Sequence, residues 1–195
     1  MHATAREPER AQELAAVPGV VVHPLDVRSE ASVAALAAAL PDRIDVLVNN
    51  AGVGHWEGLE DFDAEVALAL FDTNALGAVR VTRALRPKLR AARGKVFHVS
   101  SGMASIGDNH MGGAYAYRMS KAALNMAGRT LAIELAKDQV ASIVVEPGWV
   151  KTDMGGAGAT ITAEQSATQL AAIIDARAME STGKFLRRTG DEFPW

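Results

Sequence analysis

The chain has 195 residues, 49% of them hydrophobic and only 5% aromatic, which suits one domain of helices packed on a buried parallel sheet. Its formal charge is −3, with Lys and Arg scattered singly, so no basic stripe points to nucleic acid. The lack of cysteine excludes disulfides, thiolate zinc sites and a thiol nucleophile, and no apolar run approaches the roughly 18 residues of a membrane span.

Met1 to Arg10 is polar and charged, unlike a secretory signal, so a cytoplasmic protein is expected. Glu7 to Val17 reads as a helix opened by Pro8 and closed by Pro18-Gly19. Val20 to His23 reads as a strand leading to Leu25-Asp26-Val27. Ser29 then caps a helix through Leu40, which Pro41 stops. Asp45 to Val48 is a second strand, running into Asn49-Asn50-Ala51-Gly52. A long helix is expected from about Phe71 to Ala92, ended or kinked at Pro87. Lys95 to Val99 is a strand entering Ser100-Ser101-Gly102. Tyr117 to Ala136 is helical and apolar nearly all round, which predicts burial. Val140 to Val145 is a strand turned out by Pro147-Gly148, Ala163 to Ala176 a helix, and Gly183 to Leu186 a last short strand.

Strands alternating with helices predict an α/β fold, a Rossmann-like doubly wound parallel sheet forming a single domain over 1–195. In such sheets ligands bind beyond the carboxyl ends of the strands. The loops after Val22, Val48, Val99 and Val145 are therefore the places to look, and each is polar or glycine-rich.

Tyr117 and Lys121 stand four residues apart, on one helix face. A cation close to a phenol favours phenolate, and a tyrosine tuned that way can donate a proton to a carbonyl or take one from an alcohol. In isolation the pair is weak evidence, and a structural pair reads the same way. Ser100 and Ser101 end a strand, as loop or cap serines also do. Ser101 is followed by Gly-Met-Ala with no acid–histidine pair evident, so a nucleophilic hydrolase is discounted. Gly52, Gly54 and Gly58 have the wrong spacing for a dinucleotide fingerprint, and the five histidines lack zinc-ligand spacing. His98 reads as a core or strand-end residue, and Tyr115 as a packing residue.

Together these motifs resemble the short-chain dehydrogenase/reductase family in order and approximate spacing. Asp26-Val27 resembles its adenine-contacting pair, Asn49-Asn50-Ala51-Gly52 its Asn-Asn-Ala-Gly signature, and Asn74 its helix asparagine. Ser101, Tyr117 and Lys121 match its serine, tyrosine and lysine, and Pro147-Gly148 with Val150 and Thr152 matches its nicotinamide-binding stretch. The long loop from Gly102 to Arg118 and the ending Phe193-Pro194-Trp195 are similar to the C-factor and sniffer-type carbonyl reductase branch.

The resemblance implies roles. Tyr117 would be the general acid or base, and Ser101 would bond the substrate oxygen. Lys121 would hold the nicotinamide ribose and depress the Tyr117 pKa, while Asn74 would position a water. Asp26, Val27, Asn49, Ala51, Gly52, Pro147, Gly148, Val150 and Thr152 would contact the cofactor together with Tyr117 and Lys121. Met103, Trp149 and Met154 are candidate pocket residues. Arg6 lies at the strand tip expected to face the adenosine ribose, where no acidic residue stands. An arginine there can pair with a 2′-phosphate, so the implied cofactor is NADP(H), with NAD(H) as the alternative. The implied partner is a small carbonyl or alcohol substrate, without nucleic acid or membrane, in a homo-oligomer built through the helices starting near Asn74 and Tyr117. A catalytically impaired relative acting as a binding or regulatory protein is the rival reading.

One departure stands out. A family member opens with a strand, a Thr-Gly-x-x-x-Gly-x-Gly turn and a helix, and this sequence shows none of them. It opens at His2-Ala3-Thr4-Ala5-Arg6, which resembles the end of the family's second strand. The resemblance therefore implies an N-terminally truncated fold, lacking about 30 residues and the strand at the centre of the sheet. The strand near Ala3 must then either pair directly with the 45–48 strand or leave a cleft.

Overall fold

Short β-branched runs pair as parallel strands in the computed structural model, which describes residues 1–195. They are β1 (His2–Ala5), β2 (Val21–Pro24), β3 (Val46–Asn49), β4 (Lys95–Val99), β5 (Ala141–Glu146) and β6 (Phe185–Arg187). The helices are α1 (Gln12–Ala15), α2 (Glu30–Ala39), α3 (Ala64–Phe71), α4 (Gly77–Ala92), α5 (Tyr115–Leu135) and α6 (Ala163–Ala176). None of them is long and apolar enough to cross a membrane.

Every strand pairing is parallel, but the strands form two sheets, β1-β2 and β3-β4-β5-β6. The cleft, not direct pairing, is the outcome. β1 hydrogen-bonds only β2, and β3 only β4. The two sheets are held together through helices. Val33 and Leu36 of α2 share a core with Val81, Leu85 and Leu89 of α4, Val96, Leu135 and Val140. Arg80 and Arg83 of α4 reinforce that contact by reaching Glu30 at 3.5 and 2.7 Å.

The larger sheet carries helices on both faces. Phe97, Val99, Ile143 and Val145 pack with Leu170, Ile173 and Ile174 of α6. Alternate residues point the other way, as strand geometry requires. There α5 lies so close that a Cβ on Gly128 would stand 2.5 Å from Val144 Cγ2. β3 is the exception. Its run Val46-Leu47-Val48 reads as a buried strand, yet Val46 and Val48 are 36% and 43% exposed.

Four elements differ from expectation. The Glu7 to Val17 helix is only a 3-10 turn (Pro8–Arg10) and the single turn α1. Neither buries a residue, so propensity alone must hold them, and that is too little for a helix. The helix expected from Phe71 instead begins at Ala64, where the Asp63 carboxylate accepts the Glu65 and Val66 N–H groups. A π-helical turn, Asp72–Leu76, then separates α3 from α4. Pro87 lies inside α4, which continues to Ala92. Leu85 and Leu89 are 2% and 0% exposed on either side of it, so packing outweighs one lost hydrogen bond. Finally, α5 starts at Tyr115, and Met119, Met126 and Ile133 leave one stripe of it bare. By contrast the Ser29 cap holds, its side chain accepting the Ser32 N–H at 3.2 Å.

Candidate active site

The loops after β3 and β4 and the first turns of α4 and α5 meet at one place. Asn74 sits in the π-helical turn, 1% exposed. Its Oδ1 accepts the Val53 N–H at 2.8 Å, and its Nδ2 donates to Val53 O and Ser120 Oγ, both at 2.9 Å. Both amide hydrogens are thus committed, so the side chain could meet a water only through its remaining Oδ1 lone pair. Asn74 ties the Asn-Ala-Gly loop to α5. The same loop brings Gly52 inward, where an added Cβ would stand 3.3 Å from Lys121 Nζ and 3.4 Å from Asn74 Oδ1.

Ser101 caps a short 3-10 turn (Gly102–Ala104), its Oγ accepting the Met103 N–H at 3.1 Å. The same hydroxyl lies near enough to the buried Tyr117 phenol to act on its ionisation. Ser100 instead donates to Asn125 Oδ1 at 2.6 Å and is structural. Lys121 is buried, donates to Val99 O at 3.0 Å, and places Nζ 6.0 Å from the Tyr117 ring centroid. Asn74, Ser101, Tyr117 and Lys121 therefore converge.

The electrostatics differ from the expectation that Lys121 depresses the Tyr117 pKa. Burial raises the Tyr117 phenol above its ordinary value, with the nearby Ser101 hydroxyl acting against that rise. Burial also pushes the Lys121 ammonium down to about 8. Both groups lose water, and desolvation penalises the charged form of each. Tyr117 is consequently held protonated at neutral pH, the state from which a phenol donates a proton.

Asn49 serves the fold through its side chain. Its Nδ2 donates to Thr82 Oγ1 at 3.0 Å and lies 3.2 Å from His98 Nδ1. His98, fully buried, contacts Ser142 Oγ at 3.1 Å through Nε2, and Ser142 donates to Gly128 O at 2.9 Å. A polar chain thus crosses the core from α4 through β3, β4 and β5 to α5. Burial drives His98 down to about 4 from an ordinary 6.5, so the fold holds it neutral. Between about pH 6.5 and about 4 the unfolded chain binds a proton that the folded chain refuses. Stability therefore falls as pH drops through that window and this contribution levels off below it. The expected loss from pH 7 to 4.5 is roughly 2–3 kcal/mol. Denaturant titrations should show a clearly smaller loss for His98→Gln, and parallel curves for the two proteins would contradict the assignment.

At the ends of β1 and β2, the Asp26 carboxylate is gripped by Arg28 at 3.0 Å, which holds its pKa below the ordinary value, and Arg6 adds a weaker pull. Val27 packs under Gly77, where a Cβ would come within 2.7 Å of Val27 Cγ2. Beyond β5, Gly148 takes φ +82°, and a Cβ there would stand 2.7 Å from Ile161 Cδ1 and Arg188 Nε. The Glu146 carboxylate accepts its N–H at 2.7 Å, and Ser166 donates to Pro147 O at 2.7 Å. Val150 bridges Ile161, and Thr152 accepts the Gly155 N–H at 3.2 Å. Ala51 and Thr152 are exposed, whereas Gly52, Pro147, Gly148 and Val150 are half-buried.

Of the candidate pocket residues, Met103 packs in the Tyr117 cluster, Met154 lies against Gly54, and Trp149 lies against Gly158. Sequence reasoning missed three contributors. Trp56 sets its ring edge-on to Tyr117, with centroids 4.9 Å apart, Glu57 bonds the start of α5, and Arg28 holds Asp26. The only sequence signal for the first two was a bulky pair where small residues would suit a flat ligand.

The sequence and fold match known proteins. Residues 1–184 match the family profile described as Enoyl-(Acyl carrier protein) reductase. The chain belongs to the short-chain dehydrogenase/reductase family. It is similar to the C-signal of Myxococcus xanthus, 47% identical over 154 residues, which are 78% of this chain and 93% of that protein. The structure superposes on the carbonyl reductase Sniffer of D. melanogaster with a TM-score of 0.94 at 28% identity, covering 100% of this chain and 87% of that one. It also superposes on an NADPH-bound carbonyl reductase from chicken fatty liver, with a TM-score of 0.93, 28% identity and the same coverage. The chain is an oxidoreductase of this family with a Rossmann-like parallel sheet.

Proposed function

We propose that this oxidoreductase interconverts a small carbonyl compound and its alcohol, using NADP(H), with Tyr117 as the general acid or base. The observation that carries the reading is the convergence of the buried Tyr117 phenol with Ser101 and the Lys121 ammonium. Residues suited to the cofactor stand at both of its expected ends. Gly52 leaves room against Lys121 and Asn74, and Gly148 is a turn that a side chain would block. Lys121 would bond the nicotinamide ribose and Pro147, Gly148, Val150 and Thr152 its amide, while Asp26 and Val27 would flank the adenine. Asn49 would act by bracing the loop, and Ala51 and Gly52 by letting the cofactor approach their backbone.

The bound nicotinamide supplies the hydride. Ser101 Oγ orients the substrate oxygen, and the Tyr117 phenol gives it a proton as the alkoxide forms. The reverse direction returns that proton to Tyr117. Lys121, cationic below about pH 8, stabilises the phenolate left behind. Because reduction draws on a nicotinamide pool, the cytoplasm is the proposed location. Met119, Met126 and Ile133 recur every seventh residue along α5 and stay exposed, which supports a homo-oligomer packed through that helix. Carbonyl-dependent oxidation of NADPH by the purified chain tests the central reading. Its absence across aldehydes and ketones, with the sheet intact, would reject it.

Cofactor choice rests on the β1–β2 end. Arg28 grips Asp26 and Arg6 adds a weaker pull, so two basic residues lie on the side where the ribose is expected. NADP should bind more tightly than NAD, and Arg6→Ala should narrow the gap by roughly tenfold, the worth of one charge-assisted hydrogen bond. Equal affinity for both cofactors in the unmodified chain would refute it.

The split sheet favours a second reading, a binding or regulatory protein with little turnover. β1 and β3 each lack a partner on one side, and neither adjoins a glycine turn with dinucleotide-fingerprint spacing. Calorimetric titration with NADPH separates the two, since a regulatory remnant would bind it weakly or not at all.

A further inference from the structure

The first turn of α5 carries Tyr117 but has no cap of its own. Ala114, at the N-cap position, takes φ +50° and offers no side-chain acceptor. A helix start leaves its first N–H groups unsatisfied unless something outside accepts them. Glu57, from the loop after β3, does so. Its main-chain carbonyl accepts the Ala114 N–H at 2.7 Å, and its Oε1 accepts the Ala116 N–H at 2.6 Å. Trp56, its neighbour, lies edge-on against Tyr117 with an interplanar angle of 63°. Two consecutive residues therefore hold positions 114, 116 and 117.

Glu57 does this at a cost. It is 7% exposed, and its second oxygen, Oε2, is buried without a hydrogen-bond partner. A bare buried oxygen is destabilising, whereas a helix capped by its own N-cap side chain carries no such oxygen. A costly side chain that grips the backbone one residue before a reactive phenol has a use beyond packing.

We propose that Glu57 is a positioning residue: a helix cap supplied by the β3 loop that fixes the Tyr117 phenol within reach of Ser101. It couples the Asn-Ala-Gly loop, which adjoins Lys121 through Gly52, to the group that moves the proton. The catalytic importance of that coupling rests on the reading of Tyr117 as acid or base, but the coupling itself can be measured without turnover.

The chain has two tyrosines, so Tyr115→Phe leaves Tyr117 as the sole one, and tyrosinate absorbance then reports its ionisation alone. In that background Glu57→Ala and the shorter Glu57→Asp should lower the titration midpoint by roughly half a unit or more, because a loosened first turn admits water to the phenol. Glu57→Gln should keep the midpoint, since its amide oxygen accepts the same Ala116 N–H. Amide exchange across 114–118 should accelerate in the Ala and Asp variants only. Where reduction is measured, Glu57→Ala should lower kcat by about tenfold with little change in KM for NADPH, and Glu57→Gln should restore it. Should Glu57→Ala fail to fold, the Asp and Gln pair decides. Unchanged midpoint and exchange in the Asp variant would overturn the proposal. So would equal shifts in Asp and Gln, because a hydrogen-bonded cap requires the two to differ. If Tyr117→Phe retains reduction while these shifts appear, the acid/base reading fails and the cap stands.

Discussion

Tyr117→Phe should lose carbonyl reduction by roughly 10²–10⁴-fold while NADPH affinity stays within about threefold of the unmodified protein. The ring keeps its contacts with Trp56 and with the Leu70, Ala114 and Ala116 cluster, so the fold should not notice the change. What disappears is one hydroxyl, the group proposed as the proton donor. A loss of that size corresponds to roughly 3–5 kcal/mol on the barrier. The pH profile sharpens the test. Burial holds Tyr117 protonated through neutral pH, so the reduction rate should be flat there. It should decline above about 8, where the Lys121 ammonium discharges and the phenolate loses its stabilising charge. Stopped-flow or steady-state loss of nicotinamide absorbance reads all of this. Equal turnover in the Phe variant would reduce Tyr117 to a packing residue.

Most strands and helices were legible because their type follows from local periodicity. Lys95–Val99 and Ala163–Ala176 coincide with their expected bounds. That Asn74, Ser101, Tyr117 and Lys121 come together was legible for another reason: the resemblance supplied their order along the chain. What failed was long-range. Nothing in the spacing of residues 71–92 announces that Asn74 stands in a π-helical turn, because that turn answers to Val53 and Ser120, far away in sequence. Pro87 misled for the same reason, its local penalty being outweighed by the burial of Leu85 and Leu89. The pKa argument erred in sign because Tyr-x-x-x-Lys spacing reports the distance between two groups and not the water that both have lost. Glu57 was invisible since a carboxylate in a loop reads as solvated until the helix start that it caps is known.

Supplying a strand, a glycine-rich turn and a helix ahead of Met1 should raise NADPH affinity by roughly 10²-fold or more, and turnover with it. The argument starts from the split sheet. β3 pairs only with β4 and leaves Val46 and Val48 exposed, while β1 pairs only with β2. The two halves are kept in register by the α2–α4 contact and the Glu30 ion pairs, so the flanking positions stand ready for a parallel strand. The superposition on the Sniffer carbonyl reductase, which this chain spans to 87%, is consistent with that spacing. Between the adenine end at Asp26 and the nicotinamide end at Gly148 the cofactor carries a pyrophosphate, and neither α1 after β1 nor α2 after β2 opens behind a glycine-rich turn. Two backbone N–H groups bonded to a charged phosphate are worth about 3–6 kcal/mol together, which exceeds the 10²-fold stated. Covering the bare valines should also improve solubility, because an open strand edge with apolar side chains invites self-association. Titration of NADPH into residues 1–195 and into the extended chain compares the two directly. If residues 1–195 bind NADPH as tightly as the extended chain, the two half-sheets already hold the pyrophosphate by a route that needs no added strand.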